Sequence, residues 1–152
     1  MIQQVTNIVN NNLNSMIPLK LNIIKPETKV VSVRVDDIRP KHNNLVEWIA
    51  DPNNIYIGRS VYISINGQKI WYPPNDSIWG NPYKNGTTED NVNMYRTHIV
   101  NELRTGKISI NELEKLRGKN LGCWCKKGGQ DFPCHGDVLL TLLELNKQGL
   151  II

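Results

Sequence analysis

Residues 121–140 read LGCWCKKGGQDFPCHGDVLL and hold all three cysteines of the chain and one of its three histidines. LGCWC is short, apolar and bounded by polar residues, the pattern of a buried strand. VLL opens a helical run in which Val138, Leu139, Leu142 and Leu143 share one side. The stretch is therefore a strand, a link and a helix whose first turn begins near CHGD. Alternation on the strand sends Cys123 and Cys125 to one face and Trp124 to the other. Asp137 or Gly136 is the expected helix cap. A helix start offers unpaired N–H groups and positive potential, which lowers a thiol pKa and attracts anions.

Working outward from this unit, the same alternation of strands and helices recurs. KVVSVRV, from Lys29, is β-branched and reads as a strand, and NIYIGR reads as a second, buried one. Between them a short helix is expected over Leu45 to Ala50, stopped by Asp51-Pro52. VYISI and QKIWY flank Asn66-Gly67, the strongest short-range hairpin signal. A loop rich in Pro, Gly and Trp follows. Thr87-Thr88 with Glu89-Asp90 then starts a helix carried by Val92, Tyr95, Ile99 and Leu103 and ended by Gly106. A shorter helix spans Asn111 to Leu116, ahead of Gly118. The order predicts an α/β fold, with a small, largely parallel sheet covered by helices in a Rossmann-like manner and a hairpin insert. Residues 1–29, rich in Asn, read as a partly ordered N-terminal arm, and 30–152 as one α/β domain.

The totals agree with this reading. At 152 residues the chain is long enough to bury a core without disulfide or metal staples. Three cysteines is an odd number, and no apolar leader precedes them, so free or metal-bound thiols in a cytoplasmic compartment are expected, the host cytoplasm if the protein is viral. No apolar run approaches the roughly 18 to 20 residues of a membrane span. The net charge of +4 favours anionic partners, a nucleotide phosphate or a polynucleotide. The heavy use of Asn and Ile speaks of coding bias rather than chemistry.

In parallel sheets covered by helices, ligands sit outside the carboxyl ends of the strands. Three segments are expected there. Gly58-Arg59 follows the second strand: the glycine admits a ligand to the backbone, and Arg59 can fork onto a phosphate or pair with an acidic neighbour. Trp79-Gly80-Asn81-Pro82 offers a ring that can stack on a base or plug a core edge, and an amide that can read a base edge. The third segment is Cys125 to Asp137. Its residues admit three readings. Cys123, Cys125, Cys134 and His135 have the ligand count of a zinc site, although C-x-C on a strand and an adjacent Cys-His pair are unlike the usual C-x2-C knuckles. Cys134 and His135 can instead form the floor of a nucleotide pocket. The cysteines can also be small apolar residues packed beneath the helix.

Together IYIGR (55–59), WGNPY (79–83), a helix bearing Tyr95, LRGKNLGCWC (116–125) and CHGDVL (134–139) resemble the domain-of-unknown-function family 4326, found in small proteins of phages, large DNA viruses and microbes. The resemblance spans about residues 30 to 145. Its pattern falls on Gly58, Arg59, Trp79, Gly80, Asn81, Pro82, Tyr95, Gly118, Cys123, Trp124, Cys125, Cys134, His135, Gly136 and Asp137. The KKGGQDFP link is longer than the family's, and the hairpin insert before Trp79 also looks long. The family name assigns no activity.

The expectation is an enzyme acting on a nucleotide, nucleoside or nucleic-acid base, a hydrolase or transferase at a glycosidic or phosphate linkage. Arg59 and the helix start hold the anion, Trp79 stacks, Asn81 reads an edge, and Gly58 and Gly80 shape the backbone. His135 or Asp137 activates water, with Cys125 or Cys134 as nucleophile. No cofactor is favoured, with zinc as the alternative. A non-catalytic binder of nucleotide or nucleic acid and a zinc-stabilised interaction module are the competing functions. Nothing in the sequence sets the oligomeric state.

Overall fold

The computed structural model describes residues 26–126 and 133–150. Of the expected N-terminal arm, residues 1–29, positions 1–25 lie outside these, as does most of the KKGGQDFP link, and Lys29 already belongs to the first strand. The described elements are β1 (Lys29–Ser32), α1 (Val35–Ile38), α2 (Leu45–Ala50), β2 (Asn54–Tyr56), β3 (Val61–Ile65), β4 (Gln68–Tyr72), α3 (Thr88–Arg104), α4 (Ile110–Glu114), β5 (Asn120–Cys123) and α5 (His135–Lys147). The chain is thus a mixed α/β protein. Strands β1, β5 and β2 form a parallel sheet with β5 in the centre, and β3 and β4 form a separate antiparallel hairpin.

Alternation along the central strand builds two cores. Leu121 and Cys123 point to the face covered by α3, α4 and α5, where Tyr95, Ile99, Leu113, Leu139 and Leu142 are buried. Gly122 points the other way, towards Trp48 of α2 and Val33. The second core, with Tyr56, Leu45 and Ile38, is closed by Val61, Ile63 and Tyr72 from one side of the hairpin. The close approach requires the glycine, because a Cβ at 122 would collide with the Trp48 ring and the Val33 methyl.

The local signals act as their chemistry demands. Asn66 (φ 51°) and Gly67 (φ 80°) both occupy the left-handed region, as a two-residue hairpin turn of type I′ requires. The Thr87 hydroxyl accepts from Asp90 N–H at 3.1 Å while the Asp90 carboxylate accepts from Thr87 N–H at 3.3 Å, a reciprocal cap for α3. The structure corrects the start of α5. Its cap is Cys134, neither Gly136 nor Asp137, because the Cys134 Sγ accepts from Gly136 N–H at 3.3 Å and Asp137 reaches back to Cys134 N–H at 3.2 Å. Strand β5 also ends at Cys123, so Trp124 and Cys125 turn off the sheet at its carboxyl end. Among the described residues no helix is long and apolar enough to cross a membrane.

Candidate functional site

The carboxyl ends of β2 and β5 open onto a cavity of about 350 Å³. Gly58, Arg59 and Val61 line it from the segment after β2, Trp124 and Cys125 from the end of β5, and Pro133 and His135 from the approach to α5. The opposite wall is Asn81, Tyr83 and Lys84 with Thr88, Asn91 and Val92 of α3. Three distant segments therefore converge where a parallel sheet presents its strand ends.

Each wall is held by identifiable bonds. The Tyr56 hydroxyl donates to the Arg59 carbonyl at 2.7 Å and receives the Trp124 indole N–H at 2.7 Å, so one phenol fixes both the Arg59 backbone and the Trp124 ring. Gly58 lies beneath that phenol, and a Cβ there would stand 2.5 Å from its oxygen. Burial pushes the Tyr56 hydroxyl up to about 12, so it stays protonated and remains a donor. The Asn81 loop is laid against Gly58: Ser77 N–H donates to the Gly58 carbonyl at 3.0 Å, and Gly80 N–H returns to the Ser77 carbonyl at 2.9 Å.

At the floor lie the three thiols and one imidazole. The Sγ atoms of Cys123, Cys125 and Cys134 all lie within 4.8 Å of one another, close enough to hold a metal ion. Cys123 Sγ and Cys134 Sγ are 3.0 Å apart, and both residues are fully buried, whereas Cys125 is half-buried and faces the cavity. The His135 Nε2 is 2.6 Å from the Ile57 carbonyl oxygen. A carbonyl only accepts, so Nε2 carries the hydrogen and Nδ1 turns its lone pair to Cys125 Sγ at 3.7 Å and Cys134 Sγ at 3.8 Å. The thiols differ accordingly. Hydrogen bonds from the Cys123 and Cys134 thiols, assisted by His135, hold Cys125 well below the usual thiol range. Donation to Cys125 and burial push Cys123 up to about 11, and Cys134 is pushed up by donating to its two neighbours.

Of the residues singled out in the sequence, Gly58, Arg59, Asn81, Cys125 and His135 line the cavity. Trp79 does not. It is 4% exposed and packs in the core, where its carbonyl accepts from the buried Tyr95 hydroxyl at 2.8 Å. The core-plug reading of Trp79 replaces the stacking one, because burying the indole anchors the loop that follows. Gly80 also stays out of the cavity, and a Cβ there would stand 3.0 Å from the Ser77 carbonyl oxygen and 3.2 Å from that of Gly58. The Asn81 amide is committed to the backbone, donating to the Asn91 carbonyl at 3.1 Å and accepting from Tyr83 N–H at 3.0 Å. Cys134 lies behind Cys125. The Asp137 carboxylate is held by Cys134 N–H and by the Lys126 ammonium, each at 3.2 Å, and acts as a cap rather than as a group facing the cavity.

The sequence assigns no site role to Trp124, Tyr83, Lys84 or Asn91, which also line the cavity. Trp124 stands between the two cysteines and reaches the cavity just past the end of β5, its indole N–H bonded to the Tyr56 hydroxyl. The others sit near the WGNP motif or on the polar side of α3 and acquire a role only through packing.

Comparison with solved structures finds no match. An uncharacterized 12.4 kDa protein in the nrdA-td intergenic region of Enterobacteria phage T4 is 34% identical to this chain over 70 residues, which is 45% of this chain and 61% of the phage protein. The aligned stretch thus covers less than two thirds of that relative. The model of the family described as Domain of unknown function (DUF4326) matches residues 38–145, which take in the hairpin, every wall of the cavity and most of both cores, and the chain belongs to that family.

Proposed function

We propose that the cavity binds a nucleotide-class ligand in a Rossmann-like manner, at the strand ends, and that the protein is a hydrolase or transferase acting on it at a glycosidic or phosphate linkage. One observation carries the reading. A single cavity brings the cations Arg59 and Lys84 and the rings of Trp124 and Tyr83 to a half-buried thiol beside an imidazole lone pair. Arg59 and Lys84 match the phosphate, and Trp124 takes the stacking role that the sequence had given to Trp79. Cys125 is the nucleophile, since Cys134 is enclosed and Asp137 is bound in its cap. His135 Nδ1 accepts the thiol proton first, leaving Cys125 as the thiolate, and Sγ then bonds to the anomeric carbon or phosphorus. The leaving group departs with the bonding pair and receives that proton, and water or an acceptor alcohol then displaces sulfur.

The test is incubation with a panel of nucleotides and nucleosides, products and adducts being followed by mass spectrometry. The expected result is turnover that is lost in Cys125→Ser and Cys125→Ala and weakened in Arg59→Ala. Ligand bound but returned unchanged makes the protein a binder. Unaltered binding and turnover in Arg59→Ala and Cys125→Ala sinks the site.

A second reading rests on the closeness of the three Sγ atoms. Cys123, Cys125, Cys134 and His135 Nδ1 then hold zinc, and the Ile57 carbonyl orients the imidazole as such partners do for a ligating histidine. One zinc per chain, lost together with folding in Cys134→Ser, selects this reading. Metal-free protein with unchanged folding rejects it.

A further inference from the structure

We infer that the outward face of the β3–β4 hairpin is a stacking platform for a single-stranded nucleic acid. The inference rests on the reading of the cavity above and narrows its ligand to a nucleotide held within a strand.

The hairpin has two unlike faces. Val61, Ile63 and Tyr72 turn inward to the second core. Tyr62 and Trp71 turn outward and are 57% and 65% exposed. They are register partners, with ring centroids 5.2 Å apart and planes tilted by 41°. Such a cross-strand pair stabilises a hairpin modestly. That gain accounts for their contact with each other but not for leaving both rings in water, where smaller residues serve as well. Ser64 and Lys69 form the neighbouring pair, and the Lys69 ammonium stands 6.0 Å from the Tyr62 ring centroid.

Charge selects the occupant. From Arg59 to Asn75 the chain holds two cations, Arg59 and Lys69, and no carboxylate. The carboxylate that follows, Asp76, is taken by Ser60 N–H at 2.7 Å at the base of the hairpin. Paired rings with a lysine, and no acidic residue along the hairpin, match a polyanion whose bases have faces to stack. Position agrees: Arg59 and Val61 line the cavity, so β3 rises from its rim. A strand lying across Tyr62 and Trp71 presents an adjoining nucleotide to Arg59 and Cys125.

The experiment is fluorescence anisotropy of the full chain with labelled single-stranded oligonucleotides of mixed sequence. DNA and RNA are tested in parallel arms, against duplex of the same sequence. Unlabelled mononucleotide is followed separately by calorimetry. Trp71→Ala and Tyr62→Ala are each expected to weaken single-strand binding about tenfold, with mononucleotide binding unchanged. Lys69→Glu keeps both rings and is expected to weaken it too, more at low salt than at high. No single-strand binding by the wild-type chain overturns the inference, as does binding that survives all three substitutions. Self-association that depends on Trp71, with no affinity for oligonucleotide, overturns it in favour of a second copy on this face. Strand binding that depends on Trp71 but ignores Arg59→Ala upholds the platform and rejects the cavity reading instead.

Discussion

The Nε2 of His135 lies 2.6 Å from the carbonyl oxygen of Ile57, a bond that joins the first residue of α5 to the residue just beyond β2. It leaves the imidazole lone pair facing sulfur, and it satisfies a strand-end carbonyl inside the protein. His135 is 5% exposed, so water does not replace it. His135→Ala is expected to lower stability by about 1–3 kcal/mol, the cost of an orphaned buried acceptor. Urea unfolding at neutral pH measures it.

The three thiols are expected to react in sequence. Cys125 is half-buried and held below the usual thiol range, whereas Cys123 and Cys134 are buried and pushed up. In folded, chelator-treated protein, iodoacetamide is expected to label Cys125 alone. Its rate should change little between about pH 8 and 6, where an ordinary thiol slows about tenfold per unit. Peptide mapping of the alkylated chain decides this, and first labelling at Cys123 or Cys134 contradicts the arrangement.

Gly122 is the position on β5 where a single methyl group has no room, being set against Trp48 and Val33. Gly122→Ala is expected to cost about 1–3 kcal/mol by overpacking the second core. Thermal unfolding reads the loss. Gly67→Ala is a different case, with open space around the position but a φ of 80°, so any penalty there is backbone strain.

Tyr95 is fully buried and its hydroxyl donates to the Trp79 carbonyl at 2.8 Å. Tyr95→Phe is expected to cost about 1–3 kcal/mol. It should also loosen the loop that carries Asn81. Amide exchange at residues 79–83, faster in the variant than on α5, is the signature of that second effect.

Acid stability should depend on Asp51. The Asn53 backbone N–H, 2.9 Å away, and then His42, at 3.1 Å, hold its carboxyl below the ordinary aspartate range. A folded value below the unfolded one means the contribution is complete above the unfolded value and is lost as pH falls through the folded one. Asp51→Asn is therefore expected to flatten the acid limb of the stability profile, in unfolding curves recorded between about pH 6 and 3, and a limb as steep as wild type contradicts the assignment.

Much of the scaffold was legible because its signals are local. Asn66-Gly67 dictates a two-residue turn, Thr87 and Asp90 cap a helix, and the apolar spacing of α3 and α5 names their buried sides. The motifs also placed Gly58, Arg59, Asn81, Cys125 and His135 at the strand ends where they meet. The errors share one cause. Sequence spacing does not show when a strand stops, so it hides that Trp124 and Cys125 leave the sheet, although the alternation that sends Cys123 and Cys125 to one core and Trp124 to the other holds. Nor does it show which of several tryptophans is enclosed.

The sequence by itself determined where the hairpin turn, the cap of α3 and the longer helices fall, and that the thiols stand between a strand and a helix, because these follow from bonds and side-chain periods within a few residues. Only the tertiary structure decided that Trp79 is core and Trp124 is wall, that Asp137 serves the helix rather than the cavity, and that Cys125 alone among the thiols faces outward. The cavity walls depend on contacts between segments far apart in the chain, such as Tyr56 with Trp124 and Ile57 with His135. Burial in a shared core, which no local pattern records, selects among them.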